Sequence, residues 1–97
     1  MTFRHVVCFR WSEDTSDEDV ARFTDMLAGL PGLIPELRRY HFGRDAGAAE
    51  GNFDYAVAAE FDDRDGWVAY QEHPEHRRCI EYVRPLIRDR VAVQFDV

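Results

Sequence analysis

Apolar positions recur at every second residue in three parts of the chain and at every third or fourth residue in three others. Phe3, His5, Val7, Phe9 and Trp11 alternate with Arg4, Val6, Cys8 and Arg10, the period of a strand. Val6 and Cys8 leave the second face of that strand partly apolar, so both faces call for cover. Phe53, Tyr55, Val57, Ala59 and Phe61 alternate with Asp54, Ala56, Ala58 and Glu60, and Val91, Val93, Phe95 and Val97 with Arg90, Ala92, Gln94 and Asp96. These predict two further strands.

Between the first two strands, Val20, Phe23, Leu27 and Leu30 form one apolar stripe at helical spacing. Ser16 is placed as its N-cap, with Asp17, Glu18 and Asp19 at the positive end of the helix dipole. Gly29, Pro31, Gly32 and Pro35 stop it. Residues 36–44 are too tightly bounded by Pro35 and Gly43 for another long helix, and Tyr40 and Phe42 suit an edge or exposed strand. RDAGAAEGN is a turn-rich loop. After Phe61 come a short helix with Trp67 and Tyr70 on one side and a second helix opening at Pro74, with Cys79, Tyr82, Val83 and Leu86 apolar.

The order strand, helix, strand, strand, helix, strand predicts an α+β, ferredoxin-like βαββαβ fold: a four-stranded antiparallel sheet with its helices on one face. The bulky residues of the first, third and fourth strands are expected to meet the helices. Val6, Cys8, Ala56, Ala58 and Ala92 are then expected on the other face, too apolar to stay wet, and pairing two such faces across a two-fold axis predicts a homodimer.

Composition narrows the chemistry. With 97 residues there is room for one domain, spanning 1–97. The net charge is -7 and every basic residue is arginine, which argues against nucleic acid and against anionic membranes. No apolar run approaches the roughly 20 residues of a membrane span. The opening MTFRHVVCFRW alternates rather than reading as an export signal, and Cys8 and Cys79 are neither a CxxC pair nor a disulfide framework, so a cytoplasmic protein with two reduced thiols is expected. A chain without lysine forms no lysine Schiff base. Its two serines, Ser12 and Ser16, lie in no GxSxG elbow, and no nucleotide or zincin motif occurs.

The stretch YQEHPEHRRC, residues 70–79, carries the densest candidate chemistry. His73 precedes a helix-starting proline and is read as finishing the turn. His76 lies in the first turn of the helix, where an imidazole stays neutral and is fit to act as a base, and Tyr70 is a hydroxyl donor or a bonded core tyrosine. His5 sits on an apolar face, either as a satisfied core histidine or as part of a pocket. His41 is read as exposed and Cys79 as packing. A metal site from His73 and His76 with Glu72 or Glu75 is disfavoured, because side chains around a helix-starting proline rarely converge.

This order of elements, with FRHVVCFRW, LIPELRRYHFGRD and YQEHPEHRRC at their spacings, resembles the Dabb family, the stress-responsive dimeric α/β-barrel proteins, over essentially the whole chain. The marks are His5, the run from Pro35 to Gly43, and Tyr70, His73, Pro74 and His76. The resemblance implies a homodimer with facing sheets and a cavity in each subunit between helices and sheet. It implies no cofactor and no uniform reaction: many members have none assigned, some are stress-induced stable proteins, and a few plant members look like polyketide cyclases. In the cyclase pattern the matching residues are His76 as base and Tyr70 as polariser of the carbonyl, chemistry suited to an imidazole and a phenol. His5, Val7, Phe9, Tyr55, Trp67 and His73 are the expected ligand-binding residues. Where the cyclases carry a further cavity tyrosine on the first helix, this chain has Leu27. The expected function is a homodimer binding a small apolar or phenolic molecule with its reaction unassigned. The alternatives are a cyclase-like lyase acting by intramolecular aldol or Claisen chemistry, a non-catalytic structural stress protein, and a cofactor-free oxygenase of the related barrel type.

Overall fold

The computed structural model describes residues 1–97. Strict alternation produces strand β1 (Phe3–Trp11), whose Phe3, Val7 and Phe9 are buried with His5 while the residues between them are half-exposed. Helix α1 (Asp17–Ala28) starts where the sequence places it. Ser16 accepts from the Asp19 backbone N–H at 3.1 Å, and the Asp19 carboxylate accepts from the Ser16 backbone N–H at 3.0 Å. This reciprocal box satisfies two donors that a helix start leaves open. Val20, Phe23 and Leu27 are its buried stripe, and Leu30 and Ile34 extend the core beyond its end.

Strands β2 (Arg39–Arg44) and β3 (Tyr55–Phe61) form a hairpin across a loop in which Gly47 and Gly51 take φ of 74° and 82°, a region that glycine enters without a Cβ penalty. Helices α2 (Arg64–Glu72) and α3 (Pro74–Val83) follow, separated by His73 alone, and a 3-10 turn at Arg84–Leu86 leads into β4 (Ile87–Asp96). The sheet order is β2-β3-β1-β4 with every neighbouring pair antiparallel, which makes β2 an edge strand and the topology ferredoxin-like. No helix is long and apolar enough to cross a membrane.

One expectation is overturned. The register of β4 on β1 pairs Val93 with Val6 and Val91 with Cys8, and it pairs Ala92 with Val7, Gln94 with His5 and Arg90 with Phe9. Directly paired residues share a face. The bulky set of β4 therefore lies on the face away from the helices, with Val91 52%, Val93 61% and Phe95 43% exposed. Ala92, expected on that open face, packs against the core instead. Alternation shows which residues of a strand go together but not which set turns inward; pairing with β1 decides it.

Candidate functional site

Three segments bring the candidate residues together beneath α2 and α3. The pleat of β1 turns His5 toward the helices, α2 delivers Tyr70 from its last turn, and the break at His73 and Pro74 redirects the chain so that His76 points inward. His73 performs the turn directly. Its backbone N–H donates to the Tyr70 carbonyl at 3.3 Å, and its Nδ1 accepts from the Glu75 backbone N–H at 3.1 Å. It closes one helix and caps the next, with Pro74 at the position where a missing N–H costs nothing.

His5, Tyr70 and His76 are 3%, 2% and 5% exposed. The His76 ring lies against the Tyr70 ring, centroids 3.9 Å apart, and the His5 ring is 6.2 Å from that of Tyr70. The Tyr70 hydroxyl shares a 2.8 Å hydrogen bond with the hydroxyl of Tyr40 from β2, and Gln94 Nε2 on β4 donates to His5 Nδ1 at 2.8 Å, which leaves the His5 proton on Nε2. His76 Nδ1 has no hydrogen-bond partner although it is buried. Nearly all buried polar atoms in folded proteins have one, so this nitrogen calls for an explanation.

Burial sets the protonation states. Desolvation pushes His76 down to about 4, helped by the nearby His5 and His73 and opposed by the Gln71 backbone. His5 is also held at about 4, by desolvation and then by the charge of Arg90. Both imidazoles are neutral at neutral pH. Desolvation raises the Tyr40 and Tyr70 hydroxyls and the Cys79 thiol above their ordinary values, so all three keep their protons and the tyrosines are donors.

His5, Tyr40, Tyr70, His76 and Cys79 surround a void of about 30 Å³, closed below by Val7 and Phe9 and at the side by Leu27. That is room for about one water molecule. Phe9, Gln71, His76, Ile80 and Arg90 also line an open groove of about 760 Å³ that runs along α3 to Arg84 and Ile87. The groove is large enough for a small organic ligand, and His76 stands in the wall between the two spaces.

Not every residue expected at a pocket lines this one. Tyr55 is buried elsewhere, its hydroxyl bonded to Thr24 at 2.7 Å. Trp67 packs on Phe3 and His5 and does not reach the void, and its buried Nε1 is unpartnered. His73 is occupied as a cap. Tyr40, Gln94 and Arg90 are present although the sequence reading did not select them. Tyr40 had a usable signal, since its alternation with His41 and Arg39 puts it on the face of Phe42. Gln94 and Arg90 had none, because they fall in the polar half of β4 and only the pairing register turns that half inward. No group of three or more His, Cys, Asp or Glu side chains converges in the arrangement that would hold a metal ion.

The model of the stress responsive A/B barrel domain, Dabb, matches residues 3–97. The chain is 28% identical, over 98% of its length and 86% of the relative's, to a stress-response A/B barrel domain-containing protein of Arabidopsis thaliana. It superposes on the crystal structure of a dimeric ferredoxin-like protein of unknown function from Thermobifida fusca with a TM-score of 0.94 and 45% identity, covering 100% of this chain and 92% of that one. A hydroxynitrile lyase from Passiflora edulis has the same fold, with a TM-score of 0.87 at 17% identity over 99% of this chain and 93% of the lyase. Matched over residues 3–97, the chain belongs to the Dabb family of stress-responsive A/B barrel domains.

Proposed function

We propose that the protein works as a homodimer that binds a small carbonyl compound through the groove along α3 and moves a proton at the carbon beside that carbonyl, with His76 as base and Tyr70 as donor. The observation that carries this reading is the buried, unpartnered Nδ1 of a neutral His76, set between the closed void and the open groove. A neutral imidazole with a free lone pair can accept a proton, and a phenol held protonated by burial can donate to the oxygen on which negative charge develops. Aldol bond making begins with such a step, and aldol cleavage, which begins with loss of the hydroxyl proton, ends with its reverse when the released enolate takes a proton at carbon, so cyclisation of a keto chain and cleavage at a hydroxylated carbon are two uses of one arrangement. The dimer rests on the exposed apolar face of the sheet and on the dimeric relative from Thermobifida fusca.

The test follows exchange of the protons beside the carbonyl of 4-phenylbutan-2-one and of 2-oxo-4-phenylbutanoate in deuterated buffer by NMR. Wild-type protein is expected to accelerate exchange, His76→Ala to lose it by about a hundredfold and Tyr70→Phe by a smaller factor, with circular dichroism unchanged. Because His76 titrates at about 4, the rate is expected to be flat above about pH 5 and to fall below it as the ring takes up a proton. Exchange no faster than in buffer, or undiminished in His76→Ala, sinks the proposal. A second reading then leads, with an observation of its own: the space enclosed beside Tyr70 is about 30 Å³, which fits a structural stress protein whose interior is filled by its own side chains.

A further inference from the structure

We propose that the groove along α3 selects ligands that carry a carboxylate on a mostly apolar body, and that Arg84 and Arg90, with Arg77, hold that carboxylate. This names the ligand class for the groove in the function proposed above and rests on the groove as the way to His76.

The chain has 19 carboxylates to 12 basic residues, so ion-pair partners are abundant. Arg4, Arg38, Arg44, Arg78 and Arg88 each lie within 4.0 Å of a carboxylate. Arg10 and Arg22 lie over the rings of Phe53 and Tyr82. Arg39, Arg64, Arg77, Arg84 and Arg90 have neither kind of partner, and the last three line one groove in which Glu81 is the sole carboxylate. An acidic protein thus presents one locally cationic concave surface. Guanidinium groups gathered in a depression suit a planar carboxylate, which they bind through paired N–H donors.

The rest of the groove favours an amphiphile over an inorganic anion. Phe9, Ile80, Val83 and Ile87 supply apolar wall beside the arginines, enough for a short hydrocarbon or aromatic body. Arg90 also lines the void, and its charge is felt by His5. A carboxylate held there would set the adjoining carbons of the ligand near His76.

The experiment compares 2-oxo-4-phenylbutanoate with 4-phenylbutan-2-one, which differ by a carboxylate against a methyl, in calorimetric or NMR titrations of the intact protein. Wild-type protein is expected to bind the acid about tenfold more tightly at low salt, and the preference to shrink as salt screens the exposed guanidiniums. The double variant Arg84→Gln/Arg90→Gln is expected to bind both compounds alike. Arg39→Gln/Arg64→Gln removes the same charge from two arginines outside the groove and is expected to keep the preference. Equal affinity in wild type, a preference that survives in the groove variant, or no binding of the acid overturns the proposal. His76→Gln separates this inference from the proton-transfer reading: carboxylate preference retained with exchange lost supports both, and preference retained in a protein that never exchanged leaves the groove assignment standing alone.

Discussion

The two faces of the sheet are built from the same four strands and end in opposite conditions. Toward the helices, Phe3, Val7, Phe9, Val57 and Phe61 are buried around His5, and Tyr70 and His5 find partners in Tyr40 and Gln94. Away from the helices, Val91 and Val93 stand exposed beside Val6 and Cys8, and the Arg4 guanidinium, paired with Glu60 at 2.6 Å, lies over the partly exposed Phe95 ring. Burial on the first face is completed within the chain. On the second it is deferred, because a row of exposed valines is worth little until another apolar surface meets it. The covered face therefore holds the candidate site, and the open face is the apolar surface left for a partner.

The largest expected effect breaks the open face. Val93→Asp places a carboxylate in the middle of the exposed valine row, and across a two-fold axis the change enters twice. Desolvating two unpaired carboxylates costs about 4 kcal/mol or more for the pair, about a thousandfold in the dimer dissociation constant. Sedimentation equilibrium is expected to show wild-type dimers and Val93→Asp monomers at the same concentration. A dimer that persists unchanged would mean that these strands do not form the interface.

A smaller effect breaks the covered face by pH. His5 and His76 titrate at about 4 when folded, against 6.5 for a free imidazole. Between those values the unfolded chain binds protons that the folded chain refuses, so the stability they protect is complete above about 6.5 and is lost as pH falls toward about 4. Each ring is expected to contribute a loss of about 2 kcal/mol between about pH 7 and pH 5. Urea unfolding at the two pH values checks this, and His76→Gln is expected to keep about half of the pH dependence. A variant with the full wild-type dependence would place the effect on other groups.

Much of this contrast is legible in the sequence, and the part that is not has one physical cause. Ser16, the Val20-to-Leu30 stripe and Pro74 act locally, through capping, period and fixed φ, so the residues themselves define α1 and the start of α3. The burial of His5, Tyr70 and His76 follows from alternation and helical spacing. The inward turn of Gln94 and Arg90, and the outward turn of Val91, Val93 and Phe95, depend on how β4 registers against a strand some eighty residues earlier. Both halves of β4 alternate equally well, so no local pattern encodes which half faces the helices. Tyr55 and Trp67 mark a related limit, since period assigns a side chain to a face but not to one cavity on it.

The smallest expected effect sharpens the comparison at the roof of the covered face, where two histidines three residues apart have different roles. His73 gives its ring to the backbone as a cap, while His76 is turned inward with a nitrogen free. Removing an N-cap side chain costs about 1 kcal/mol, so His73→Ala is expected to lower the unfolding free energy by that amount at neutral pH. Its cap bond is local, and Pro74 still fixes the start of α3, so the Tyr70–His76 ring contact should survive and ligand affinity should change by less than about twofold. Removal of the His76 ring should do the reverse, freeing a buried nitrogen that had no partner while removing the group that faces the groove. If His73→Ala weakened binding as much as His76→Ala, the two histidines would be acting as one unit and the division between cap and site would fail.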